Sequence, residues 1–203
     1  MVALCFGWFI IASLQLTGTW QAGAPARGFN DSMLASVLVT ELIFGAVAIA
    51  VLQARGYPLR TLYPQPSWSG ALLGAGLYLG ATALATLATK LAPHPAGLPV
   101  EEMAAQAQVS LPVVMLVSVV NGAYEEVFLL GYLIRGLRRY GASTALGITL
   151  LVRLLCHTYQ GPVGALEVTL FGAVIGIYYQ RTGRLFPVVA AHVIADAIGL
   201  GSM

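Results

Sequence analysis

Seven long apolar runs divide this chain and restrict it to one class of fold. Of its 203 residues, 58% are hydrophobic and only 9% are charged, a composition foreign to soluble domains. A helix needs about 20 apolar residues to cross a hydrocarbon core of about 30 Å, and each run approaches that length. A membrane β-barrel would show short segments alternating with period two, and none occurs. We therefore predict an all-α, polytopic transmembrane helical bundle of about seven spans (six to eight), forming a single membrane domain over 1–203. The predicted spans are 3–20, 33–54, 69–90, 109–134, 142–159, 163–180 and 185–202.

Basic residues predict the orientation of these spans. The loops after even-numbered spans carry most of the arginines, whereas the odd loops hold only Arg27 and Lys90. Because basic residues accumulate in cytoplasmic loops, we expect a cytoplasmic N-terminus in a multi-pass protein of the plasma (inner) membrane. Topology accounts for these arginines, so no nucleic-acid partner is expected. The even-loop arginines are Arg55, Arg60, Arg135, Arg138, Arg139, Arg181 and Arg184.

Ionisable residues inside the later spans indicate a function, because such groups are costly in hydrocarbon. Their depth follows from the helical rise of about 1.5 Å per residue, counted from the cytoplasmic end of each span. The depths are about 15 Å for Glu125 and Glu126, about 16 Å for Arg153, about 22 Å for His157, about 10 Å for His192 and about 16 Å for Asp196. Groups that share one slab of the bilayer can converge on a water-filled pocket. We predict an active site there, among the later spans.

The direction of the acidic side chains is only partly predictable. Glu125 and Glu126 are adjacent and differ by about 100° around a helix, so one is expected to face the pocket while a neighbour holds the other. Glu41 and Glu167 are single acids in the second and sixth spans. Each of them either lines the same pocket or serves packing at a helix interface.

Small residues four apart predict close contacts between helices, because they let two backbones approach. The third and sixth spans contain such pairs. They are Gly70 with Gly74, Gly76 with Gly80, and Gly172 with Gly176.

The ionisable side chains permit more than one chemistry. A carboxylate beside a neutral imidazole can deprotonate a water that attacks a carbonyl, while a second imidazole with a further donor stabilises the oxyanion. The same two histidines and three carboxylates can also ligate zinc and leave one position for an activated water. A proton or cation transporter could use the carboxylates as a relay. No repeat between the halves, which would favour a transporter, is found.

Three short segments of the second half follow one another in order: Glu125–Gly131, His157 and His192–Asp196. They resemble the motifs of the CPBP intramembrane proteases, the family of the CAAX prenyl protease Rce1. Those motifs are a Glu-Glu pair with an Arg four residues after the second Glu, a Phe four residues before a His, and a His followed four residues later by Asn or Asp. The resemblance covers about 109–202. We accordingly divide the chain into scaffold spans, 1–108, and a core, 109–203.

The resemblance implies an intramembrane endopeptidase that cuts a membrane-associated peptide or protein within the lipid bilayer. By this resemblance Glu125 is the general base that activates water, His157 helps to position that water, and Glu126 supports the first glutamate. His192 and Asp196 form the oxyanion site. The family is glutamate-dependent, so no cofactor is expected, and zinc at the Glu/His site is possible but not favoured.

The chain departs from the family motifs at two positions, and at a third, residue 196, it has the aspartate that the family pattern allows in place of asparagine. Leu130 replaces the motif arginine, and Arg153 replaces the phenylalanine before the first histidine. We hypothesise that Arg153 supplies to Glu126 the charge that residue 130 lacks. Asp196 cannot donate a hydrogen bond when ionised, so it must be protonated, orient His192 or bind a metal. Because the motif arginine is missing, the alternative of an inactive family member, which acts as a membrane binding or immunity protein, stays open.

Overall fold

Long helices run through the residues that the structure, a computed structural model, describes: 1–24, 28–91 and 99–202. Within these ranges the chain forms no strand, and its one isolated β-bridge joins Asn30 to Gln108. Arg27, used in the orientation prediction, lies outside the described residues. The main helices are α1 Val2–Gln21, α2 Asp31–Ala54, α3 Trp68–Leu91, α4 Pro99–Ala105, α5 Leu111–Glu126, α6 Ala142–Cys156, α7 Gly161–Thr182 and α8 Leu185–Gly201.

The prediction of an all-α membrane bundle is confirmed, with helix ends shifted by a few residues from the predicted spans. In the described part of the chain, five helices are long and apolar enough to cross a membrane. Two of the predicted spans are shorter helices, α6 and α8. The short helix α4 was not among the predicted elements. The five long segments are Val2–Gln21, Asp31–Ala54, Trp68–Leu91, Leu111–Tyr140 and Thr158–Thr182.

The fourth span changes its winding directly after the glutamate pair. α5 ends at Glu126, and a π-helix, Val127–Ile134, continues it without a break. The sequence predicted one uniform helix over 109–134. π-helical turns are rare and occur frequently at functional sites. Most side chains of this segment are buried, so it is held by packing on several sides.

The fifth span ends earlier than predicted, at Cys156 instead of residue 159. His157 leaves the helical conformation, and its ring Nδ1 lies 2.8 Å from the carbonyl oxygen of Arg153. Carbonyls in the last turn of a helix lack intrahelical partners, and the imidazole supplies one here. A 3-10 turn, Thr158–Gln160, and Gly161 with a φ of 77° then lead into α7. His157 is thereby fixed at the end of a helix.

Close packing at the predicted glycines is confirmed at four of the six positions. In α3, a Cβ on Gly74 would lie 2.7 Å from Ala190 Cβ and 2.8 Å from the carbonyl oxygen of Pro187 in α8. The backbones of α3 and α8 can approach this closely only without a side chain there. The prediction is wrong for Gly76 and Gly80, which face open space. The other confirmed positions are Gly70, Gly172 and Gly176.

Replacing Gly172 with valine is expected to lower the free energy of unfolding by about 1–3 kcal/mol. A Cβ at Gly172 would lie 2.7 Å from Cδ and 2.9 Å from Nε of Arg153, so this buried arginine would have to move. Thermal unfolding in detergent measures the effect. Gly80→Val is the matched control, since nothing lies within 4 Å of its Cβ. Equal unfolding temperatures for the two variants would contradict this account of Gly172.

Candidate active site

Helices α5, α6 and α8 bring all the predicted site residues to one place inside the bundle. Side-chain contacts link them into one continuous cluster, as the shared slab of the bilayer predicted. α5 contributes Glu125 and Glu126, α6 contributes Arg153 and, at its end, His157, and α8 contributes His192 and Asp196.

Glu126 is the centre of this cluster and is completely buried. Its Oε1 accepts a hydrogen bond from Arg153 Nη2 at 2.6 Å and lies 2.5 Å from His192 Nδ1. An ionised carboxylate can only accept, so Nδ1 of His192 carries the proton in this contact. The carboxylate of Glu126 therefore neutralises Arg153 and fixes the ring of His192.

Glu125 points in another direction and lines a cavity. Its Oε2 accepts a hydrogen bond from Arg153 Nη1 at 3.2 Å, and its Oε1 lies 3.8 Å from His157 Nε2. The prediction that one glutamate faces the pocket while neighbours hold the other is confirmed. The guanidinium of Arg153, which is 1% exposed, joins the two glutamates as one ion-paired unit.

His157 is held with one defined nitrogen towards Glu125. Its Nδ1 faces the Arg153 carbonyl oxygen, which can only accept, so Nδ1 donates this hydrogen bond. In the neutral ring the lone pair then lies on Nε2, the atom nearest Glu125. The ring of Tyr159 lies nearly parallel to the imidazole, with centroids 6.2 Å apart.

Asp196 contacts a residue that sequence reasoning missed, Asn121. The Asn121 amide donates to Asp196 Oδ2 at 2.8 Å, and Asp196 Oδ1 lies 3.5 Å from His192 Nε2. Asn121 precedes Glu125 by four residues in α5, and both line the cavity. This spacing was the available signal, but an asparagine carries no charge that would have marked it.

The cluster opens onto a cavity of about 470 Å³ to which all eight helices contribute. Much of the lining is apolar and comes from α1 to α4, in the half of the chain predicted as scaffold. Glu41 and Glu167 both line this cavity. This agrees with the first of the two alternatives predicted for them, which was that they line the pocket. Such a space, mostly apolar with a few convergent polar groups, is the usual form of a small-molecule or peptide site.

A divalent metal fits this site poorly. In the described residues, Glu125, Glu126 and His192 offer ligand atoms within 4.8 Å of one another. The Arg153 guanidinium, however, donates to both carboxylates. A zinc ion would therefore have to enter beside a fixed positive charge and compete for oxygen atoms that are already bonded, whereas zinc sites need three or four available ligands.

Comparison with protein families agrees with these motifs. Residues 107–198 match the family model described as type II CAAX prenyl endopeptidase Rce1-like. The matched range contains every predicted site residue, together with Asn121. No curated protein and no solved structure gave a significant match. In the described residues, five apolar helices able to cross a membrane accompany this match, and the second half of the chain, 107–198, is thus similar to the Rce1-like CAAX-type intramembrane proteases.

Proposed function

We propose that the protein is a glutamate-dependent intramembrane endopeptidase that hydrolyses a peptide bond of a membrane-associated protein or peptide. The observation that carries this proposal is the placement of Glu125 in the cavity, with Arg153 bonded to one oxygen and His157 Nε2 at 3.8 Å from the other. That separation exceeds a direct hydrogen bond. It suits two groups that contact the same water molecule.

The first half of the proposed reaction is attack by this water. Glu125 Oε1 removes one proton from the water, while His157 Nε2 accepts a hydrogen bond from the other hydrogen. The oxygen adds to the carbonyl carbon of the substrate, and the carbonyl π electrons move onto the oxygen. His157 is a positioning residue in this step, since its tautomer is fixed by the Arg153 carbonyl.

The second half is collapse of the tetrahedral intermediate. His192 in its charged form donates from Nε2 to the oxyanion, and Glu126 on Nδ1 stabilises that charge. The C–N bond breaks, and Glu125 returns its proton to the leaving nitrogen. The products are a carboxylic acid and an amine. Asp196, which accepts from Asn121, serves to orient His192, and no metal takes part in our scheme.

Arg153 also bears on the alternative of an inactive binding or immunity protein. The missing arginine at residue 130 is the main reason for that alternative. Arg153 is ion-paired with both Glu125 and Glu126, so a positive charge is present at the site. This contact supports a catalytic site over a purely binding one.

We further propose that the N-terminus is cytoplasmic and that the protein resides in the plasma (inner) membrane. The loops predicted as cytoplasmic meet at one end of the bundle, where Leu62 and Leu185 pack on Gly131 and Tyr57 packs on Tyr132. Their arginines are therefore gathered on one side, as the positive-inside rule requires.

Cleavage of membrane-anchored fluorogenic peptides by the purified protein in lipid vesicles tests the proposed reaction. We expect hydrolysis that persists in the presence of a zinc chelator. The control variant is Glu101→Gln, which removes an exposed carboxylate of α4 outside the cavity. Loss of cleavage with chelator, restored by zinc, would replace our scheme with a metal mechanism. If the folded protein cleaves no peptide, the alternative of an inactive binding or immunity protein is favoured.

A further inference from the structure

Glu41 of α2 is a buried carboxylate that the proposed reaction does not use. It is 3% exposed, and its Oε2 has no hydrogen-bond partner among the described residues. It belongs to the half of the chain outside the Rce1-like match. Because an unpaired buried charge is strongly unfavourable, such a group is retained where something binds to it or where it can be neutralised.

The register of α2 against α5 places Glu41 beside the site. Asp31 at the start of α2 accepts a hydrogen bond from the backbone N–H of Ser110, 79 residues later. Further along both helices, a Cβ on Gly45 would lie 3.5 Å from the ring of Tyr124, which is again 79 residues later in the chain. The two helices thus run parallel, and Glu41 lies level with the residue before Asn121. It faces the cavity and interacts electrostatically with Glu125, Asp196 and His192.

The charges around the cavity are unequal. Four carboxylates line it, whereas its cations in the described residues are Arg153 and, in the proposed reaction, charged His192. That arginine is already shared between Glu125 and Glu126. Asp196 has Asn121 as its hydrogen-bond donor. The four carboxylates are Glu41, Glu125, Glu167 and Asp196.

We propose that Glu41 determines substrate specificity by binding a cationic group of the substrate peptide, a lysine or arginine side chain or a free α-ammonium, while the scissile bond lies against Glu125. A cation at Oε2 would supply the missing hydrogen-bond donor and stabilise the ionised form of the Glu41 carboxylate. Much of the surrounding wall is apolar, so a charged hydrogen bond there contributes strongly to discrimination. This inference rests on the proposed peptide hydrolysis.

Paired peptides test the inference in vesicles of phosphatidylethanolamine and phosphatidylglycerol. Lysine or its neutral isostere norleucine is placed in turn at each position near the scissile bond, and the N-terminus is either free or acetylated. We expect lysine at one position, or the free amine, to raise kcat/KM about tenfold over its neutral partner, mainly through KM. Loss of the preference on acetylation identifies the α-ammonium as the source, and its persistence identifies the side chain.

Variants at residue 41 connect this preference to the carboxylate. Glu41→Gln should remove the preference, Glu41→Asp should restore part of it, and the control Glu101→Gln should retain it. Equal rates for lysine and norleucine peptides in the unaltered protein would overturn the inference. An equal fall in rate for both peptides in Glu41→Gln would overturn it too, since that is the result of a merely structural role.

A binding measurement separates failure of this inference from failure of the proposed function. Fluorescence anisotropy reports binding of the same peptides to the unaltered protein and to Glu41→Gln. Turnover during this measurement is prevented by a reversible inhibitor or by the additional substitution Glu125→Gln. Charge-selective binding that depends on Glu41, without any cleavage, would reject the peptidase and retain the cation site. Cleavage with no charge preference would do the reverse.

Discussion

Replacing Glu125 with glutamine is expected to reduce kcat/KM for peptide hydrolysis by about 10²–10⁴-fold. Glutamine has the shape of glutamate and can still accept the hydrogen bond from Arg153, but it cannot take a proton from water. The bundle should therefore keep its fold while hydrolysis is lost. Progress curves with the membrane-anchored peptides, together with thermal unfolding of both proteins, measure the two effects separately.

The outcome for Glu125→Gln discriminates between the candidate mechanisms. The exposed substitution Glu101→Gln makes the same chemical change outside the cavity and should keep full activity. Full activity in Glu125→Gln would remove this residue from the role of general base. A fall in activity accompanied by an equal fall in the folded fraction would assign it a structural role instead.

Replacing Arg153 with leucine is expected to have the largest effect on stability, about 3–5 kcal/mol in the free energy of unfolding, and to abolish hydrolysis. The guanidinium is 1% exposed and bonded to both Glu125 and Glu126. Its removal leaves two adjacent carboxylates buried without their cation. Thermal unfolding in detergent gives the stability, and the peptide assay gives the activity.

A control and a double exchange test why an arginine stands at residue 153. Arg139→Leu removes an exposed arginine that stacks on Tyr140 and should leave stability nearly unchanged. The double exchange Arg153→Phe with Leu130→Arg restores both family motifs and should recover stability and activity lost in Arg153→Phe. Leu130 is fully buried, one turn beyond Glu126, so an arginine there starts close to its intended partner. A double variant no better than the single one would refute compensation.

The cluster itself was predictable because depth follows from counting residues along a helix. Glu126 and Arg153 were placed within about 1 Å of the same depth, and the structure joins them by a hydrogen bond of 2.6 Å. The resemblance likewise assigned His192 and Asp196 to one site, and their side chains lie 3.5 Å apart, four residues along the same helix. Axial position depends mainly on helical rise, which is nearly the same for every α-helix.

Rotation about the helix axis and lateral neighbours were not predictable in the same way. The sequence left open which glutamate faces the cavity, since that depends on how α5 is turned against α6 and α8. It also did not show that Asn121 joins Asp196, because a neutral amide is conspicuous only when its partner is known. The lateral packing of α2 against α5 brings Glu41 to the same cavity.

What the sequence by itself determined is the membrane bundle, the limits of its spans to within a few residues and the set of ionisable groups that share one layer. These follow from hydrophobic length and helical rise, which are local properties of the chain. The tertiary structure decided the π-helix after Glu126, the release of His157 from α6 and the bridging position of Arg153. The bridge made by Arg153 depends on contacts between helices distant in sequence, where buried polar groups must find partners, and helical rise alone cannot specify such contacts.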